Sequence, residues 1–253
     1  MSLPNTNHQV VLRRRPAPDV AASLFETVDA PMPAMGDGQF LVRNIYLSVD
    51  PAMRGWIVEA ANYSDPVPLD GVMRSFAVGQ IAKIKGCRTI GVTGSDEKAR
   101  ICAEEFGYDA VINYKTCPDL SAAIAAAAPD GVDCCFDNVG GTQLDAVLEH
   151  INIGARIAIC GTIGMPSFPI PEGARMNRTL LVNRARIEGF LVLDHFDRFD
   201  AIIAEMTNWY REGLLKDRED VAEGLGAAPN ALERLLKGEN TGKQIGRVGP
   251  EKA

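Results

Sequence analysis

The feature that most constrains this chain is a regular alternation of short apolar runs with helix-patterned segments, beginning near residue 81 and continuing past residue 190. Residues 89–93, 110–114, 132–136, 155–160 and 186–193 read as buried strands. Between the first two, Ser95 caps a helix whose apolar positions Ala99, Cys102, Ala103 and Phe106 recur at helical spacing, and Gly107 ends it. Further helices are predicted over 119–128, where a run of alanines favours the helix, and over 142–151. Strands joined in sequence by helices need right-handed crossovers and a parallel sheet, so the expected architecture is α/β and doubly wound. A later amphipathic helix places Phe199, Ile202, Ile203, Met206, Trp209 and Tyr210 on one face, which reads as core.

The first 80 residues have a different texture. Eight of the 15 prolines fall by Pro68, around short β-prone runs at 10–12 and 40–49, the pattern of an irregular antiparallel β region. Arg13, Arg14 and Arg15 read as a solvated strand end. The tail from residue 213 carries a short helix at 231–237 and a closing strand at 244–248. Against 33 acidic residues stand 26 basic ones, a net charge of −7, which argues against a nucleic-acid partner. No apolar run approaches the ~18 residues of a membrane span, and residues 1–15 are too polar for a signal peptide. A cytoplasmic protein is expected.

A doubly wound sheet binds ligands beyond the carboxyl ends of its strands. The first clear strand is followed there by Gly94, Ser95 and Lys98, which offer backbone N–H groups, a hydroxyl and an ammonium to a phosphate. The usual NAD reader is a carboxylate bonding the ribose 2′-OH; Ser95 with Lys98 suits a 2′-phosphate, hence NADP. Asp96 and Glu97 weigh toward NAD, although at a helix start they also serve the dipole. Asn113-Tyr114, Asp137-Asn-Val-Gly-Gly141 and Cys160-Gly-Thr-Ile-Gly164 stand at three further strand ends. Each alone is an ordinary strand-to-helix turn; their recurrence is what points to a cofactor.

Several chemistries are excluded by missing motifs. No GxGxxG occurs, so the standard pyrophosphate cradle is absent. None of the five tyrosines has a lysine four positions on, as short-chain dehydrogenases require. There is no GxSxG and no GxxxxGK[ST]. The six cysteines form no CxxC pair, and the three histidines, His8, His150 and His195, have no zinc-ligand spacing, so no metal is expected.

Taken together, these residues resemble a known family. Val42-Arg-Asn-Ile-Tyr-Leu-Ser-Val-Asp-Pro-Ala-Met-Arg-Gly55, Tyr63, Pro66-Val-Pro-Leu-Asp-Gly-Val-Met-Arg74, Thr93-Gly-Ser-Asp-Glu-Lys98, Phe136-Asp-Asn-Val-Gly-Gly141, Ile159-Cys-Gly-Thr-Ile163 and Gly238-Glu-Asn-Thr-Gly-Lys243 are similar to motifs of the zinc-independent medium-chain reductases. That family includes the curcumin, prostaglandin and plant alkenal double-bond reductases, and the likeness runs nearly end to end. It implies a partial GroES-like β (substrate) domain over 1–80, a Rossmann cofactor domain over 81–212, and a tail over 213–253 returning to the β domain. It implies NADPH-dependent reduction of the C=C bond of an α,β-unsaturated ketone or aldehyde, with a homodimer as the assembly. Carried over, Lys98 would hold the 2′-phosphate and Tyr114 the adenosine side. Asn138, Gly161, Phe190, Val192 and Asn240 would contact the inner half of the cofactor, and Tyr63 would bond the substrate carbonyl oxygen.

The chain departs from the family at one place. Between residues 76–80 and 81–87 it lacks the stretch that carries the rest of the β domain, the first Rossmann strand and the glycine-rich loop. Val78-Gly-Gln80 reads as the fused junction of an in-frame deletion. In the strand order 3-2-1-4-5-6 the lost strand is central, so its loss exposes two edges. Residues 74–78 are a candidate substitute strand, and residues 79–85 a short helix whose N-terminus would face the pyrophosphate. Three readings follow: a working enone reductase, an inactive remnant that binds NADP weakly or a protein partner, and a deletion product without a selected function.

Overall fold

The structure, a computed structural model, describes residues 6–17, 19–32, 44–59, 81–165 and 175–250. In chain order its elements are β1 (Thr6–Leu12), β2 (Phe25–Pro31), β3 (Tyr46–Ser48), α1 (Met53–Trp56), α2 (Ile81–Ile84), β4 (Ile90–Thr93), α3 (Asp96–Glu104), β5 (Ala110–Asn113), α4 (Leu120–Ala127), β6 (Val132–Asp137), α5 (Gly141–Leu148), β7 (Ile151–Ile159), α6 (Asn177–Asn183), β8 (Arg186–Gly189), α7 (Phe199–Arg211), β9 (Glu219–Glu223), α8 (Ala228–Lys237) and β10 (Lys243–Arg247). They divide into two compact units, residues 1–78 with 217–253, and residues 79–216.

In the 79–216 unit, side-chain caps start the helices. Ser95 Oγ accepts the Lys98 N–H at 3.2 Å to open α3, and Asp119 Oδ1 accepts the Ala122 N–H at 2.9 Å to open α4. Every strand pair is parallel, as the alternation requires. β4 pairs with β5 from Ile90↔Ala110 to Thr93↔Asn113, while β6, β7 and β8 form a second sheet with β7 in the middle. Among the described residues no strand joins β4 to β6. The described strands of this unit thus form two separate parallel sheets, β5-β4 and β6-β7-β8. The substitute strand predicted at 74–78, and the junction at Val78, lie outside the described residues.

Some local expectations shift. α3 buries Ile101 and exposes Ala103, because it lies against β4 and β5 with its largest aliphatic side chain inward. α5 ends at Leu148 and not at 151, since the His150 N–H turns back to Val147 O at 3.0 Å and Ile151 starts β7 within the core of Leu148, Ala155 and Ile157. β8 stops at Gly189, and Val192–Arg198 is a 3-10 turn. α6 and β9 were not expected. The α7 stripe is the largest correction: no residue of that helix is fully buried, and Ile203 and Tyr210 are 57% and 56% exposed. Its main neighbour among the described elements is the 3-10 turn before it, so the apolar face has no continuous sheet to cover it.

In the other unit β1 and β2 pair antiparallel, and β10 lies between β3 (antiparallel) and β9 (parallel). One core gathers Leu12, Leu24, Val49, Met53, Trp56 and Ile57 from the first 60 residues with Ala231 and Leu232 of α8. Lys243 of β10 ion-pairs with the buried Asp50, which also accepts from Ser48 Oγ at 3.0 Å. The arginine triplet is structural: Arg13 pairs with Glu26 at 2.8 Å, Arg14 donates to Ser23 O, and Arg15 donates to Ile57 O at 3.1 Å. No helix among the described residues is long and apolar enough to cross a membrane.

Candidate functional site

The carboxyl ends of β4 and β5 bring three of the predicted residues together. Gly94 follows β4, and a Cβ placed on it would sit 3.3 Å from the Tyr114 ring and 3.4 Å from Lys115 Cε, so the tyrosine approaches this turn only because position 94 has no side chain. The Tyr114 N–H donates to Thr93 O at 3.0 Å, which fixes the ring beside Gly94 and Ser95. Asn113 Nδ2 donates to Asp96 Oδ1 at 2.7 Å, linking the end of β5 to the first turn of α3. That bond gives Asp96 a structural partner, which answers its weight toward NAD. Ser95, Lys98 and Tyr114 thus occupy one exposed corner, with a hydroxyl, a helix start, a cation and a half-exposed aromatic ring. Lys115 is a member that sequence reasoning missed. Its position next to Tyr114 was visible, but only the packing against Gly94 places its side chain at the corner.

A second group stands at the ends of β6, β7 and β8. Asp137, buried at the end of β6, accepts the Val139 N–H at 2.9 Å and the Gly140 N–H at 3.0 Å. Its carbonyl accepts from Cys160 and Gly161, at 2.8 and 3.1 Å. One residue therefore holds both turns, and Asn138 and Gly161 touch: a Cβ at 161 would meet Asn138 O at 3.0 Å. The Phe190 N–H donates to Ile159 O at 2.9 Å, which sets Phe190 beside the end of β7, and its ring stacks on His195 at 5.1 Å. Val192 begins the 3-10 turn that follows. Asn138, Gly161, Phe190 and Val192 accordingly share the carboxyl-end side of one sheet. Asp137 belongs to a sequence motif, but its organising role is not legible there; buried acceptors of this kind are found only by counting backbone bonds.

Two predicted residues lie outside this unit. Asn240 belongs to the other unit, where its Nδ2 donates to Gly242 O at 2.7 Å. Tyr63 lies outside the described residues. The helix predicted over 79–85 is described as the single turn α2, and its contacts correct its expected role. Lys83 pairs with Asp109 at 2.7 Å, and Asp109 Oδ2 accepts the Thr89 N–H at 2.7 Å, so α2 is anchored at the amino ends of β4 and β5. One helical turn is about 6 Å long and a four-residue strand about 13 Å, so α2 does not reach the phosphate end. The hydrogen bond from Lys83, ahead of the one from the Thr89 backbone, holds the Asp109 carboxyl down at about 2. Burial raises the thiols of Cys102 and Cys160, and pushes Cys135 up to about 11, so these three cysteines are not activated nucleophiles.

Residues 76–208 match the family described as zinc-binding dehydrogenase, and residues 8–87 match the N-terminal domain of oxidoreductase. Among the described residues no three His, Cys, Asp or Glu side chains group as metal ligands. The chain is 31% identical to the Bacillus subtilis protein YfmJ over 334 aligned positions, covering 96% of this chain and 98% of the relative. Because this chain has 253 residues, that alignment passes through residues of the relative with no counterpart here. It is 42% identical to the NADP(+)-dependent 2-alkenal reductase of Nicotiana tabacum over 174 residues, 69% of this chain and about half, 51%, of the plant enzyme. The crystal structure of CurA from Vibrio vulnificus in complex with NADPH superposes with a TM-score of 0.89 at 27% identity, over 97% of this chain and 100% of CurA.

Proposed function

The chain belongs to the medium-chain dehydrogenase/reductase family, and from that premise we propose that it is an NADP-dependent oxidoreductase acting on the C=C bond of α,β-unsaturated ketones or aldehydes. The observation that carries the reading is the corner at the ends of β4 and β5. Ser95 Oγ and the first turn of α3 supply hydrogen-bonding groups to a 2′-phosphate, Lys98 and Lys115 supply charge, and Tyr114 supplies an adenine-stacking ring. Asn138, Gly161, Phe190, Val192 and Asn240 would contact the inner half of the cofactor. When bound, NADPH supplies the hydride that reduces the β-carbon of the enone. Tyr63 would donate its hydroxyl to the substrate carbonyl oxygen and hold the charge that develops there until the α-carbon takes a proton.

A second reading is favoured by the interrupted sheet: a family remnant that binds NADP at the β4–β5 corner without turnover. It draws on the two separate sheets, no strand joining β4 to β6 among the described residues, and on the positions of YfmJ that this chain lacks. Titration with NADPH, followed by cofactor fluorescence, tests the shared premise. Saturable binding weakened at least about tenfold in Lys98→Ala supports the corner as the 2′-phosphate site, one charged hydrogen bond being worth about that factor. Absence of binding removes both readings. Oxidation of NADPH on addition of an enone then separates the enzyme from the remnant.

A further inference from the structure

The β6-β7-β8 sheet has two unlike faces. Cys135, Ile157 and Ile187 point into the core, whereas the adjacent row of register partners Cys134, Arg156 and Arg186 is exposed. Arg184, just before β8, adds a third guanidinium, and the three arginines with Gly154 line a polar depression of about 260 Å³. Glu188 stands on the same face, one step further along β8. Yet among the described residues no carboxylate forms an ion pair with Arg156, Arg184 or Arg186. Like charges side by side on neighbouring strands repel. Arg184 carries a second cost, for among the described residues it alone combines a side chain with a positive φ, 48° at the end of α6, where glycine would be unstrained. Its Nη1 donates only to Val182 O, at 3.2 Å. A strained arginine beside two unneutralised ones is an arrangement that a bound anion completes.

We propose that this depression is a binding site for a compact phosphate-type oxyanion, either inorganic or the terminal phosphate of a small molecule. Guanidinium forks match phosphate oxygens in pairs, and the volume is below the ~300–1,000 Å³ of drug-sized ligand pockets, which favours a small anion over a whole nucleotide. The site lies at the amino end of β8, whereas Gly161 and Phe190 follow the carboxyl ends of β7 and β8, so it is separate from the cofactor residues. The inference is independent of the proposed function.

Calorimetric titration of the full chain with inorganic pyrophosphate tests it, with inorganic phosphate and glycerol 3-phosphate as the arms that distinguish a free anion from an esterified one. The expected result is saturable binding that weakens with added salt, falls at least about tenfold in the double variant Arg156→Gln/Arg186→Gln, and is unchanged in Lys98→Ala. Arg184→Gly removes a guanidinium while relieving the backbone, so it should weaken binding while raising the melting temperature, which no loss of folding can imitate. Absence of saturable binding, binding untouched by the arginine variants, or binding abolished by Lys98→Ala alone would each overturn the proposal.

Discussion

The two units use their apolar residues differently. In the 1–78/217–253 unit, segments nearly 200 residues apart close over Trp56 and Ile57, which are 2% and 0% exposed. In the 79–216 unit, Phe136, Ile203 and Tyr210 remain between 48% and 57% exposed, although the strand and helix that carry them are well formed. The difference teaches that element formation and core formation are separate achievements. α7 is clearly amphipathic, but a doubly wound unit buries such a face only against a continuous sheet. The first unit has its central strand, β10, and the second has two sheet fragments.

The contrast between the units is open to direct test. Trp56→Ala should have the largest effect, costing about 3–5 kcal/mol by opening a cavity in the closed core, read as a fall in the urea midpoint by circular dichroism. An unchanged midpoint would mean that this core is not the stable part of the molecule. The chain has two tryptophans, one in each unit, so Trp56→Phe and Trp209→Phe isolate the fluorescence of the other unit. The 79–216 unit, reported by Trp209, should unfold at the lower urea concentration. Within it, Asp137→Ala leaves the Val139 and Gly140 N–H groups without their acceptor and should cost about 2–3 kcal/mol, with a parallel loss of NADPH affinity. Ser95→Ala should cost only about 1 kcal/mol by removing the α3 cap, measurable as a small drop in the same midpoint.

The smallest effect is in acid. The Asp109 carboxyl titrates at about 2 in the folded chain against an ordinary 3.8, its folded value being the lower one. Its contribution to stability is therefore complete above pH 4 and is lost as pH falls from about 4 to about 2. Lys83→Met, which removes the main cause of the depression, should lower stability slightly at neutral pH and flatten the acid limb of a stability–pH curve in that window, the two curves converging below about pH 2. A curve that keeps its full slope there would show that α2 is not anchored through this pair.

Much of the β4–β5 corner was legible because its determinants are local. A serine before Asp96 and Glu97 announces a helix start, and Gly94, Ser95, Lys98 and Tyr114 sit at the ends of runs that propensity alone marks as strands. Lys115 and Asp137 were less legible, because their roles depend on a glycine's missing side chain and on backbone donors two and three residues on. The exposed stripe of α7 was misread for a related reason. Periodicity reports which face of a helix is apolar, and nothing in it reports whether a sheet lies opposite.

By itself, then, the sequence determined the alternation of strands and helices, their parallel pairing, the capped start of α3 and the absence of a glycine-rich loop, all of which follow from near-neighbour sterics and hydrogen bonding. The tertiary structure alone decided that β4 and β6 are not joined among the described residues, that α2 anchors at the amino ends through Lys83 and Asp109, and that Arg156, Arg184 and Arg186 converge. Those outcomes depend on which strands become neighbours, and strand neighbourhood is set by hydrogen bonds between residues far apart in the chain, where no local pattern reaches.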